Sequence, residues 1–269
     1  MVHLKGPYDI TGTSHLIVLL LILLVSAITV STVAATAQEE DVTQMLYSVD
    51  SKPFGMNYSE WWGKYWQWLL SVPAADFPVN DPTGTKCSLH QIDPNVWFMA
   101  QQLDGSAEIK CIIPSGKAIF IPLLKGECDY LSDSRLETEL DLRECASSGT
   151  KGALMQAEVN GVKVENIQNL STVSPVFNLT ISPDNIYGGG PSGDTQAVAV
   201  GYALFFKPLT PGEYRIHASA SILDDPTLGT YTYAVDTQYH LIVEEPIVST
   251  VNETVVVDDE TVMLLINSS

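Results

Sequence analysis

Apolar residues follow two different rhythms along this chain, and each predicts a different element. From Asn57 the sequence reads NYSEWWGKYWQWLLSVP. Wound at about 100° per residue, Tyr58, Trp61, Trp62, Tyr65, Trp66, Trp68, Leu69 and Leu70 fall on one arc of roughly 200°. Glu60, Gly63, Lys64 and Gln67 fill the remainder. This is an amphipathic helix with a heavy aromatic face. Asn57 or Ser59 stands where a cap is needed, and Pro73 where the helix must stop. Each buried aromatic removes roughly 150–250 Å² from water, so most of the arc belongs under a sheet. The arc is wider than a core stripe, however. One edge, Trp66 or Trp68, is left as a candidate ligand-stacking platform.

Beyond the helix the pattern turns to short apolar or alternating runs. Val96–Gln101, Ala107–Ile113 and Ala118–Leu124 are separated by Asp104-Gly105 and Pro114-Ser115-Gly116, a spacing that predicts a meander. Ser132–Cys145 is charged with a leucine rhythm, and Ser134 with Glu137 matches a capping box. It predicts a short surface helix. MQAEV-NG-VKVEN predicts a hairpin turning at Asn160-Gly161. Val176–Ile181, Ala197–Phe206, Glu213–Ala220 and Tyr231–Val243 complete the strands. The chain is therefore mainly β, and the expected architecture is a β-sandwich of jelly-roll or Ig-like type. One N-terminal aromatic helix and one short surface helix accompany it.

The two ends read differently. His15 to Ala35 is a continuous apolar run closing in Ala35-Thr36-Ala37. Small residues at that spacing favour a signal peptide over residues 1–37, cleaved to leave Gln38 first. The alternative is an uncleaved anchor, since the run is long enough to span a bilayer. Either reading exports the remainder. Residues 38–56 form a polar lead-in, residues 57–246 the sandwich domain, and residues 247–269 an appendage or tail. In the tail, Thr254–Val257 and Thr261–Ile266 flank Asp258-Asp259-Glu260 and fit an edge hairpin or a loose end.

Charge narrows the function. There are 32 acids against 13 bases, a net charge of −19. Such a chain cannot neutralise a run of phosphates, which excludes nucleic acid as partner. Docking on an anionic membrane surface is disfavoured, so a membrane is met only through the N-terminal segment if that is retained. A glycan or a protein at the cell surface remains as a partner class. The four cysteines Cys87, Cys111, Cys128 and Cys145 form no CxxC pair. In an exported chain an even count reads as two disulfides. Three pairings exist, and Cys87–Cys111 with Cys128–Cys145 is preferred because each closes a short loop. Five N-x-S/T sequons begin at Asn57, Asn169, Asn178, Asn252 and Asn267. With ten Asn in the chain and Ser plus Thr at about one residue in six, chance supplies between one and two sequons. The excess reads as a glycosylated surface protein.

Three stretches resemble a known group when taken together: WWGKYWQWLLSVP, then PTGTKC…VWFMA…IKCIIPSGKAIFIPLLKGEC, then KPLTPGEYRIHASA…QYHLIVEEP. The pattern is similar to that of a family of exported proteins of soil bacteria and ammonia-oxidising archaea with no assigned activity. It covers roughly residues 57–246. The resemblance implies a shared fold and export, and no catalytic residue carries over with it.

Candidate chemistry is sparse. His90, His217 and His240 lack metal-ligand spacing. If the strands of His217 and His240 pair, the two rings and Glu213 approach one another and form a candidate ligand-binding site, either a mononuclear metal site or an acid–base site. The loop after Tyr187 (GGGPSGD) lacks the GK[S/T] ending of a phosphate loop, and it has no nucleophile elbow. Acid clusters, among them Asp129 and Asp133, raise a weak case for Ca²⁺, with no cofactor otherwise implied. The leading reading is an exported structural or ligand-binding module. The alternative is a secreted hydrolase acting on carbohydrate or another extracellular substrate. A cleft with a Trp face beside two carboxylates would favour the hydrolase, and a closed core with every Trp buried would favour the module.

Overall fold

The computed structural model describes residues 42–81, 83–225, 230–245, 254–258 and 261–265. The expected leader and the sequons at Asn252 and Asn267 lie outside the described residues. The described part of the lead-in already belongs to the domain. Helix α1 (Val42–Met45) buries Val42, and Leu46 bridges to Phe206, its neighbour Tyr47 donating its N–H to the Phe205 carbonyl.

Two five-stranded sheets stack as a sandwich. Sheet I runs β1 (Val96–Phe98), β3 (Ala118–Asp129), β8 (Gly193–Phe206) and β6 (Ser171–Val173), with β7 (Phe177–Ile181) also on β8. Sheet II runs β2 (Gly105–Ile113), β10 (Thr230–Val243), β9 (Gly212–Asp225), β4 (Ala153–Val159) and β5 (Val162–Lys163). Ile119, Ile121, Leu123, Leu204 and Phe206 from sheet I meet Ile109, Ile113, Ile216, Tyr239 and Leu241 from sheet II. On the other face of sheet I lies the aromatic helix α2 (Trp61–Ser71), against Phe98, Phe120, Ala199, Ala203 and Phe205. Sheet I is thus covered on both faces. That is why AIFIPLL and AVAVGYALFF read as unbroken apolar runs, whereas the strands of sheet II alternate.

The meander is not formed. The turns before Gly105 and at Gly116, both at positive φ, each carry the chain across to the opposite sheet. β1 and β3 therefore pair in parallel, and β2 pairs in parallel with β10 from Gly105↔Val235 to Ile113↔Val243. The crossover at residues 99–104 clasps both sheets. Gln101 Nε2 donates to the Leu123 carbonyl, Gln102 Nε2 to that of Asp236, and Tyr239 Oη to that of Ala100. The edge of β1 is closed by a side chain: Gln91 Nε2 donates to the Phe98 carbonyl while its Oε1 accepts the Phe98 N–H. One primary amide thereby stands in for a strand.

Other expectations hold with shifted bounds. The Asn160-Gly161 hairpin forms with both residues at positive φ, as its turn type requires. The surface helix is α3 (Glu139–Ser148), later than expected. Its capping box is Thr138 with Asp141, not Ser134 with Glu137: the Thr138 hydroxyl accepts the Asp141 N–H, and Asp141 Oδ2 accepts the N–H groups of Glu137 and Thr138. The tail segments pair as a hairpin, β11 (Thr254–Asp258) with β12 (Thr261–Leu265). Both expected disulfides are present, with Cα–Cα separations of 5.6 Å for Cys87–Cys111 and 6.0 Å for Cys128–Cys145. The first holds the turn Thr85–Ser88 along β2, and the second ties the end of β3 to α3.

Candidate functional site

Gly201 explains how α2 comes so close to sheet I. An added Cβ there would collide with the Trp62 ring and the Leu124 carbonyl oxygen. The aromatic face therefore closes completely. Trp61, Trp62, Tyr65 and Trp68 are at most 1% exposed, and Trp66 is 3% exposed. Trp68 stacks on Phe98 at 5.7 Å, and Trp62 meets Phe120 edge-on at 5.0 Å. The expected open edge at Trp66 or Trp68 is not there. Leu179 and Ile181 of β7, and Phe77 from the segment after the helix, complete the same cluster. Neither side chain is available to a ligand. Tyr65 Oη and the indole N–H groups of Trp66, Trp68 and Trp97 have no hydrogen-bond partner among the described residues.

His90 stands in a turn, paired with Asp76 at 2.9 Å; His217 and His240 lie on the outer face of sheet II, because Ile216, Ala218, Tyr239 and Leu241 take the inner one. Their strands pair as expected, but the register sets His217 opposite Gln238 and His240 opposite Arg215. The two rings are diagonal neighbours and do not combine. His217 Nε2 lies 3.0 Å from Asp236 Oδ1, and His240 Nε2 lies 3.1 Å from Glu213 Oε2. The approach of His240 to Glu213 is realised, while His217 takes Asp236 instead. Both carboxylates are more than half exposed, at 52% for Asp236 and 68% for Glu213. Lys110 and Arg215 flank His240 across the strands. These are two separate surface pairs of small energy, roughly 0–1 kcal/mol each. They do not make one acid–base centre.

The acids considered for Ca²⁺ serve the backbone instead. Asp129 is buried, and its Oδ1 accepts the N–H groups of Leu131 and Ser132. Asp133 is held well below the usual carboxylate range by its two hydrogen bonds from the Arg135 guanidinium. Asp81 is pulled down further, first by the Thr83 hydroxyl and then by the Lys86 N–H. Asp93 caps Asn95 and Val96. Among the described residues no group of three His, Cys, Asp or Glu side chains is arranged to hold a metal.

Two features escaped the pattern reading. The first is Lys125 and Glu127, two residues apart on the helix-facing side of β3. Lys125 Nζ donates to Gln101 Oε1 at 2.9 Å, and Glu127 Oε1 is enclosed without a hydrogen-bond partner. Burial lowers the Lys125 amine to about 7. Burial, then the charge of Asp129, raises the Glu127 carboxyl to about 8. The available signal was two opposite charges two residues apart, directly continuing the apolar run AIFIPLL of β3. The second feature is a groove of about 710 Å³ between the Tyr130-Leu131 turn and strands β7 and β8. Its lining comes from three separated segments, so no single stretch of sequence announces it.

No protein-family model matches the chain, and no similar curated protein was found. Two solved structures match weakly. One is PbICP-C in complex with falcipain-2, at 13% identity, covering 56% of this chain and 99% of that one, with a TM-score of 0.23. The other is the cysteine protease inhibitor EhICP2 from Entamoeba histolytica, at 11% identity, covering 56% and 96%, with a TM-score of 0.21. At such TM-scores the likeness carries no argument about this chain.

Proposed function

We propose that this chain is an exported cell-surface module, structural or ligand-binding, rather than a hydrolase. The observation that supports it best is the closure of the aromatic face. A hydrolase acting through those tryptophans needs at least one of them in a cleft, and all four of α2 are buried. Two disulfides add to the case, since such bonds form and persist in oxidising compartments and are rare in reducing ones. Among the described residues no helix is long and apolar enough to cross a membrane. The outer face of sheet II, where Lys110, Arg215, His217 and His240 alternate with Glu213 and Asp236, and an open groove at β7 offer the surfaces through which such a module meets its partner.

The test is recovery of the native protein by cell fractionation with its thiols trapped in situ. The expected result is a protein outside the cytosol whose four cysteines resist alkylation until reduced. Recovery from the cytosol with alkylated cysteines would overturn the proposal.

A further inference from the structure

We infer that Asn178 carries an N-linked glycan whose first sugars lie in the groove beside β7. The inference rests on the reading of the chain as exported and names the modified atom and its seat. β7 is bonded only to β8 among the described strands, and it alternates cleanly. Leu179 and Ile181 turn into the aromatic core, which places Asn178 and Thr180 together on the exposed side. Both members of the N-L-T sequon therefore share one accessible face. The Asn178 carboxamide is barely engaged: Gln196 Nε2 reaches its Oδ1 at 3.5 Å, and its Nδ2 donates to no group among the described residues. Nδ2 is the atom that forms the glycosidic bond. It displaces the phosphate of a lipid-linked sugar phosphate at the anomeric carbon. The N–C bond forms, the C–O bond to phosphate breaks, and the amide proton leaves with the phosphate.

The second observation is the surface next to it. Asn178 borders the 710 Å³ groove with Tyr130, Leu131, Asp194 and Gln196. That volume falls within the roughly 300–1,000 Å³ of ordinary small-ligand sites. Leu131 is 37% exposed and Tyr130 is half-buried, so the lining offers an apolar side chain and a ring to the C–H face of a sugar. Asp194, whose Oδ1 accepts the Thr180 hydroxyl at 2.7 Å, keeps its second carboxylate oxygen as an acceptor, and Gln196 adds an amide donor and acceptor for sugar hydroxyls. Asn57, at the start of the aromatic helix, and Asn169, in a 3-10 turn, do not line this groove. A glycan seated here also shields the outer edge of β7, where Gln67 Nε2 already occupies the Asn178 carbonyl.

The experiment is glycopeptide mass spectrometry on the protein purified from its own cells, with Thr180→Ala and Thr180→Ser variants produced there. The expected result is sugar mass on the Asn178 peptide of the parent and of Thr180→Ser, lost in Thr180→Ala, with both disulfides intact in all three. An unmodified Asn178 peptide in protein recovered outside the cytosol overturns the glycan and leaves export standing. An unmodified peptide in cytosolic, reduced protein overturns both. The seat is read from nitration of Tyr130, expected at least threefold faster in Thr180→Ala than in the parent. Equal rates on a glycosylated parent would overturn the seating in the groove.

Discussion

Trp61 shows at the residue scale why an aromatic arc is core. Its ring is 1% exposed, packs edge-on against Phe205 at 5.6 Å, and its Nε1 donates to the Pro53 carbonyl. Trp61→Ala is expected to cost roughly 3–5 kcal/mol, read as a large fall in melting temperature. A shift of one or two degrees would mean the ring is not in the core. Glu127 and Lys125 make a pH prediction. The folded chain keeps a proton on Glu127 up to about 8, against an ordinary 4.5. The unfolded chain releases it earlier, so this group's contribution is complete below 4.5 and is lost as pH climbs to 8. Lys125 works oppositely. Its amine is lowered to about 7 from 10.5, so its contribution is complete above 10.5 and is lost as pH falls toward 7. Glu127→Gln should therefore gain stability over the parent between pH 5 and pH 8, by about 1–3 kcal/mol after discounting for partial solvent contact. Thermal unfolding at pH 5, 6.5 and 8 checks it, and a pH-independent difference would show a carboxyl that ionises normally.

At the scale of elements, the approach of α2 to sheet I depends on a missing atom. Gly201→Ala inserts a methyl where the Trp62 ring and a strand carbonyl already sit. It should cost about 1–3 kcal/mol as an overpacked core, measured by denaturant unfolding. An unchanged midpoint would show that the helix can lift. The disulfides act on elements too. Cys128–Cys145 closes a separation of 17 residues between β3 and α3, and replacing both cysteines by Ser should cost about 3 kcal/mol. Preserved stability in the double variant would mean that α3 is held by Leu142 and Ala146 packing on Val198 and Val200. Short loops made the pairing legible in sequence. The start of α3 was less legible, because Ser134–Glu137 and Thr138–Asp141 both offer a hydroxyl three residues ahead of a carboxylate, and the fold uses the second.

At the scale of the whole molecule, the apolar run from His15, the excess of sequons and the two disulfides together carry the proposal of export, and the mature chain is expected to start at Gln38. N-terminal sequencing of the native protein checks this; an intact Met1 in the membrane fraction would show an anchor instead. The same scale accounts for the closed edges. β1 is capped by Gln91 and β2 is flanked by a disulfide-tethered turn, which keeps both edge strands from pairing with another chain.

What the sequence determined by itself was local. Period-two alternation, the Asn160-Gly161 turn, the aromatic arc and short cysteine spacings each act over a few residues, and each appears in the fold. Tertiary structure alone decided which sheet each strand joined, since β1 to β3 look like a meander until the two Gly-bearing turns carry the chain across the sandwich. It also decided that no tryptophan of α2 stays open, because β7 and Phe77 come from more than one place in the chain to cover the last edge. His217 and His240 follow the same logic. Alternation put both on one face, but the register of β9 with β10 gave each its own carboxylate. A strand's face is set by neighbours one and two residues away, while its partners are set by contacts a hundred residues off, and only the folded chain brings those into reach.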